Sequence, residues 1–175
     1  RYPATTITVN NTPIPWLDKQ TPLKYLGVDL DTRLTYRHHL TRKLGLAYGR
    51  LTQLYPLINR KSTLRTDCTL LLYKALLRPI LTYACPVWHS ASGTSRRKLE
   101  AFQNKVLRLA VQAPWFVRNT QLRRETGVDT LEDHMRALTT KHFDSLPLFP
   151  ATTDFSLGAR TEGRRLKPRL YQDTQ

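Results

Sequence analysis

Acidic residues are scarce in this chain: 13 Asp and Glu stand against 28 Lys and Arg over 175 residues, for a net charge of +15. The deficit is local. Residues 1–32 hold three cations and three anions, and residues 109–175 hold ten and eight, so neither end carries the excess. Between Arg33 and Arg108 fifteen cations face only Asp67 and Glu100, which puts +13 of the +15 in one segment. A field of one sign that dense favours polyanions, nucleic acid before an anionic membrane. The blander use of such charge is a solvated surface that keeps the protein soluble. Cysteine is scarce too. Cys68 and Cys85 lie seventeen positions apart without a CxxC partner, which excludes a disulfide framework and a zinc site. They read as small core residues in a reducing compartment. An apolar run free of charge is also missing. The longest apolar stretch, Thr63 to Trp88, carries Lys74 and Arg78 in its middle, each costing about 2.5 to 3.5 kcal/mol in a membrane, so no membrane partner is expected. No Walker loop, GxSxG, HExxH or GxGxxG occurs, nor any internal repeat or visible signal peptide. Arg1 is not Met, so the chain is expected to begin inside a longer protein.

At 40% hydrophobic residues the chain can bury one real core. The Thr63–Trp88 stretch is its expected centre. Apolar residues at Leu64, Cys68, Leu71, Leu72, Ala75 and Leu76 follow a helical period, behind an N-cap at Ser62 or Thr63. Pro79 removes one i to i−4 hydrogen bond and should kink or restart the helix near Arg78. Lys74 and Arg78 then snorkel to one charged edge of a buried helix.

Residues 5–10 alternate as a strand, Asn10-Asn11-Thr12-Pro13 reads as a turn, and Ile14-Pro15-Trp16 resumes briefly. Leu23 to Leu30 reads as a second strand, with Gly27 marking a tight bend or close approach. The two predict an antiparallel hairpin or a three-stranded edge piece that must dock on something. From Thr35 the period switches. Leu40, Leu44, Ala47, Leu51, Leu54 and Ile58 form a helical seam ending before Asn59, with His39, Lys43 and Arg50 on another face and Arg42 beside them. Gly93-Thr94-Ser95 re-caps the chain for a helix with a buried stripe of Leu99, Phe102, Val106, Leu109 and Ala113. On its other side gather Arg97, Lys98, Lys105 and Arg108, and Pro114 ends it. A short helix over Thr120–Thr126 stops at Gly127. Another starts at Thr130 with Leu131, His134, Met135, Leu138 and Phe143 inward and Asp129, Glu132 and Asp133 at its N-terminal turn. Residues 148–175, rich in Pro, Thr and Arg, read as a disordered basic tail.

Few residues offer chemistry. Asp29 and Asp31 could hold Mg2+ as a DxD pair, but without a third carboxylate nearby they read as turn and capping residues between strand and helix. His38 and His39 point about 100° apart on a helix and cannot chelate one metal; a solvated histidine beside a phosphate contact suits them better. Cys85 and His89 flank Pro86 but supply too few ligands for zinc. No catalytic or metal-binding residue is assigned. The Asn10-Asn11-Thr12 sequon matters only in a secreted protein, which this composition does not suggest.

Three stretches together carry a resemblance. Lys24-Tyr25-Leu26-Gly27-Val28-Asp29-Leu30-Asp31 followed by Leu34-Thr35-Tyr36-Arg37-His38-His39-Leu40, then Leu72 to Trp88, then Leu99 to Arg108, occur in order at characteristic spacings. The chain resembles the region after the catalytic palm in reverse transcriptases of non-LTR retrotransposons (LINEs) of the jockey clade, over about Thr5 to Leu146. That resemblance implies a primer grip at Tyr25, Leu26 and Gly27, holding the primer 3′ end, with Gly27 allowing close approach. It implies a helical thumb tracking the template-primer RNA–DNA duplex, with Arg37, Arg42, Lys43, Arg50, Arg97, Lys98, Lys105 and Arg108 as phosphate contacts. The family's paired catalytic aspartates after an aromatic, its earlier palm aspartate and its Cys/His knuckle are absent. Mg2+ is therefore expected only in a palm upstream of Arg1, and this chain alone is not expected to polymerise.

The expected architecture is mainly α: a small antiparallel β-hairpin, then a bundle of three main helices with one or two shorter C-terminal helices. Residues 1–32 would form the palm-edge hairpin, 33–117 the thumb, 118–147 a helical extension and 148–175 the tail. Expected partners are nucleic acid and the remainder of the polymerase, inside the nucleus or cytoplasm. The alternative is a co-opted, transposon-derived module that binds nucleic acid or another protein.

Overall fold

The computed structural model describes residues 8–14, 21–59 and 62–145. The expectations for residues 5–7, for Pro15 and Trp16, and for the tail over 148–175 lie outside these, as do Arg60 and Lys61. The described chain is mainly α-helical, with two short antiparallel hairpins ahead of the helices.

In the first hairpin β1 (Thr8–Val9) pairs with β2 (Thr12–Pro13), Val9 opposite Thr12. Asn10 and Asn11 make the turn at φ 48° and 60°, a left-handed pair that asparagine tolerates. In the second, β3 (Leu23–Tyr25) pairs with β4 (Val28–Leu30), Tyr25 opposite Val28. Leu26 and Gly27 supply its two-residue turn at φ 45° and 76°. The expected long strand over 23–30 is therefore corrected: that stretch reverses on itself at Leu26-Gly27, and each hairpin is its own sheet.

Helix α1 (Arg37–Ile58) opens after a left-handed Tyr36. Asp31 caps the approach, its carboxylate accepting from Thr35 N (3.0 Å), Thr35 Oγ1 (2.8 Å) and Tyr36 N (2.8 Å), as expected of a capping residue. The seam is as expected. Leu40, Ala47, Leu51 and Ile58 are buried, Leu44 and Leu54 pack against the core, and the helix ends at Ile58. His39 departs from expectation: it is buried, not solvated.

The central stretch keeps its place in the core but not its phase. It comprises α2 (Thr66–Leu72), a π-helical turn (Tyr73–Leu77), α3 (Arg78–Thr82) and α4 (Cys85–Trp88). It starts after Arg65 instead of Ser62 or Thr63. Buried are Leu70, Tyr73, Leu77, Leu81, Cys85 and Trp88, while Leu64, Leu71 and Leu76 are exposed. The cause is that Leu70 to Tyr73 is apolar all round, so periodicity alone cannot choose a face. The tie is broken by Tyr73, whose hydroxyl donates to Gln103 Oε1 inside the core. Pro79 does restart the helix near Arg78; the wide turn just before it makes room for the ring where a straight α-helix would clash. Left-handed Ala84 then bends the chain into α4, and Trp88 Nε1 donates to Tyr83 O (2.7 Å) across the bend.

Helix α5 (Gly93–Ala110) is capped by Ser92, whose hydroxyl accepts from Ser95 N. Leu99, Phe102, Val106, Leu107 and Ala110 are buried and pack on α1, α2, α6 and α7. It ends at Ala110 through left-handed Gln112, four residues before Pro114. Helix α6 (Asn119–Thr126) stops at left-handed Gly127, as its sequence requires. Helix α7 (Leu131–Ser145) opens on a reciprocal cap: Thr130 Oγ1 accepts from Asp133 N (3.0 Å) and donates to Asp133 Oδ2 (2.5 Å). Its inner face is Leu131, Met135 and Thr139; Leu138 and Phe143 are exposed, which corrects the expected stripe. Cys85 is buried beside Met135 and Thr139, whereas Cys68 is exposed and not a core residue. Both thiols are free, and no helix among the described residues is long and apolar enough to cross a membrane.

Candidate nucleic-acid interface

Helix α1 divides the cations into two groups, one on each flank of its buried seam. On the hairpin flank the organising group is Asp29 on β4, which is buried although charged. Arg42 Nε donates to its Oδ2 (2.6 Å), and Arg42 Nη2 donates to Gly27 O (3.0 Å), so one guanidinium clamps both strand and turn. His38 Nδ1 lies 3.6 Å from the same carboxylate, and His39 Nδ1 accepts from Asp29 N (3.3 Å). Burial opposes ionisation of Asp29, but the hydrogen bond and charge of Arg42, with His39 and His38, outweigh it and lower its pKa. Burial, reinforced by the charge of Lys43, pushes His39 down to about 4, so it is neutral at pH 7.

The turn is held from a second side by Tyr83, between α3 and α4. Its hydroxyl donates to Leu26 O (2.9 Å), and its ring lies where a Cβ on Gly27 would come within 3.2 Å. Lys43 Nζ sits 4.0 Å above that ring. Tyr25 and Leu26 stand out from this anchored base, 62% and 75% exposed. Beyond Tyr83 an open groove runs between α1 and α3, lined by Lys43, Gly45, Gly49, Arg50, Pro79 and Tyr83. Gly45 and Gly49, one turn apart, have nothing within 4 Å of where a Cβ would stand. Each costs a helix about 1 kcal/mol relative to alanine, and what it gives here is a smooth strip that another molecule's backbone can approach closely.

On the α5 flank, Arg37 lines a narrow cleft with Ser95 and Lys98. Lys105 Nζ lies 5.0 Å over the Tyr48 ring, which is itself packed edge-on against Phe102 at 4.9 Å. Arg97 and Lys105 line a groove with Arg108 and Asn119, reaching from α5 to α6. The groove's carboxylate, Glu100, is already engaged by Arg123 (3.1 Å) and by Leu131 N (2.7 Å). Arg108 is engaged as well: Nη1 donates to Pro114 O and Trp115 O, and Nη2 to Val117 O and Asn119 Oδ1.

Sequence comparison adds the decisive observation. The chain is 33% identical over 130 residues to the probable RNA-directed DNA polymerase from transposon BS of Drosophila melanogaster, covering 74% of this chain. It is 32% identical over 165 residues, 94% of this chain, to the probable RNA-directed DNA polymerase from transposon X-element of the same organism. To the RNA-directed DNA polymerase from mobile element jockey of Drosophila funebris it is 32% identical over 146 residues, 83% of this chain. The chain belongs to the jockey-type non-LTR transposon reverse transcriptases. It spans only 14 to 18% of the length of these curated relatives. No family model and no solved structure matches it.

Set in that reverse-transcriptase family, the residues singled out from sequence divide by how they are held. Tyr25, Leu26 and Gly27 are one β-turn on the hairpin flank. Lys43 and Arg50 line the α1–α3 groove, and Arg37, Arg97, Lys98 and Lys105 stand on the α5 flank. Arg42 and Arg108 spend their donors inside the protein, on Asp29 and Gly27 in one case and on the segment after α5 in the other. Sequence reasoning missed four residues. Tyr83 props the turn from 57 positions away, which no local pattern reveals. Asp29 reads as a turn residue until α1 packs against it. Trp115 and Phe116 were legible as aromatics in a cationic neighbourhood, since Arg108 and Arg118 flank them.

Proposed function

We propose that this chain is the primer-grip and thumb part of its polymerase and holds the template-primer RNA–DNA duplex without contributing a catalytic group. The observation that carries the reading is a contrast in pairing. Among the described residues Arg42, Arg96 and Arg123 are ion-paired with Asp29, Glu132 and Glu100, whereas Arg37, Lys43, Arg50, Arg97, Lys98 and Lys105 form no salt bridge. Unpaired cations beside open grooves suit phosphates, and Gly45 and Gly49 let a strand come close. In this reading Tyr25, Leu26 and Gly27 meet the primer end on a turn braced by Arg42 and Tyr83. Mg2+ and nucleotide transfer belong to residues outside this chain, and the protein meets its template in the nucleus or cytoplasm. The rest of the polymerase is its second partner.

The test is charge reversal. Lys98→Glu together with Lys105→Glu should weaken binding of an RNA–DNA hybrid roughly tenfold or more while leaving the melting temperature unchanged, since both side chains are exposed. Unchanged affinity would leave the charge with no role beyond solubility.

A further inference from the structure

Trp115 is 86% exposed and Phe116 is 68% exposed, in consecutive positions. Their rings meet edge to face, with centroids 6.0 Å apart and planes at 83°. A flexible loop would let such a pair fold down and bury some of its surface. Here the backbone that carries them is held in place. The Arg108 guanidinium donates to Pro114 O (2.5 Å), Trp115 O (3.2 Å), Val117 O (2.9 Å) and Asn119 Oδ1 (3.0 Å). Val117 N closes a turn onto Pro114 O at 3.3 Å, and Ala113 is buried just upstream, with its N–H donating to Arg108 O. A charged side chain on α5 thus spends its donors on displaying two aromatic rings to solvent.

The surroundings specify what the rings are displayed for. The α5–α6 groove, lined by Arg97, Lys105, Arg108 and Asn119, begins where Arg108 holds the segment, and Arg118 is exposed beside it. Its one carboxylate, Glu100, is neutralised by Arg123 and capped by Leu131 N. An apolar protein partner would gain nothing from that cationic border, and an acidic peptide offers no flat faces to the rings. A nucleic-acid strand offers both phosphates and π-faces.

We propose that Trp115 and Phe116 form a stacking platform for unpaired bases, with the phosphates of the same strand lying along the α5–α6 groove. The inference deepens the nucleic-acid reading above and rests on it. Arg108 is a positioning residue in this arrangement, and the platform is distinct from the hairpin turn at Tyr25–Gly27.

The experiment uses the full 175-residue chain with three probes: a single-stranded oligothymidylate, an abasic strand of the same length, and a blunt RNA–DNA hybrid. Oligothymidylate should quench tryptophan fluorescence in Trp16→Phe and not in Trp16→Phe, Trp115→Phe, where the fully buried Trp88 is the one tryptophan left. Trp115→Ala should bind oligothymidylate roughly tenfold more weakly than the native protein and the abasic strand equally well. Phe116→Ala should show the same pattern at smaller size. Equal affinity of the native protein for the oligothymidylate and the abasic strand, or no change in Trp115→Ala, overturns the platform while hybrid binding leaves the wider reading intact. Failure of the native protein to bind any of the three overturns both.

Discussion

The two flanks of α1 use the same residue types to opposite ends. On the hairpin flank the polar groups are turned inward: Asp29, Arg42, His39 and Tyr83 tie a three-residue strand and its turn to the helices, leaving Tyr25 and Leu26 as the exposed tip. On the α5 flank Arg37, Arg97, Lys98 and Lys105 are exposed and free of acidic partners among the described residues, and the packing beneath them is apolar. A hairpin this short buries too little apolar surface to stay docked by itself, so ionic and hydrogen-bonded clamps must hold it. Helices α1 and α5 are held by their seams and can leave their cations idle. The difference teaches that a positive charge in this protein is informative only with its partner known.

The comparison predicts a graded set of effects. Arg42→Ala removes the partner of a buried carboxylate and should destabilise the fold by about 3 kcal/mol in denaturant unfolding, whereas Lys98→Ala should stay within about 0.5 kcal/mol. Similar losses would erase the distinction between the flanks. Acid should separate them next. His39 is neutral in the fold with a pKa of about 4, below the ordinary 6.5, so between those values the unfolded chain binds more protons. Stability should therefore be whole above pH 6.5 and fall by roughly 3 kcal/mol as pH drops towards 4, with His89 and His134, also lowered by burial, adding in the same direction. His39→Gln should flatten that decline, and an unaltered profile would remove His39 from the account. Smaller still, Tyr83→Phe should cost about 1 kcal/mol and speed amide exchange in Leu23–Leu30 without touching α5, because it deletes only the bond to Leu26 O.

How much of this was legible in the sequence follows from what each pattern depends on. The α1 seam and its end at Ile58, the stop of α6 at Gly127 and the acidic start of α7 are local signals, and they appear where the spacing put them. The mainly α architecture with a leading hairpin follows from the same signals. The central stretch defeated phase assignment because Leu70, Leu71, Leu72 and Tyr73 give a wheel with no polar side to orient it. Which leucine faces inward was decided by Gln103, thirty positions away. The same holds for the candidate site. The basic segment and the Tyr25-Leu26-Gly27 turn are visible in one dimension. That Arg42 and Arg108 are occupied, that His39 is buried, and that α1 splits the cations into two flanks are facts of packing, which no count of charges contains.

The central claim is that the free cations of the α5 flank, with Lys43 and Arg50, contact nucleic-acid phosphates. The most direct measurement is the affinity of the chain for an RNA–DNA hybrid across a salt series, run on the native protein and on the Lys98→Glu, Lys105→Glu variant. The account predicts that log K falls linearly with log salt, and that the variant lowers both the affinity and the steepness, by roughly one unit of slope for each phosphate contact removed. A native slope near zero, or a slope the variant leaves unchanged, would contradict it.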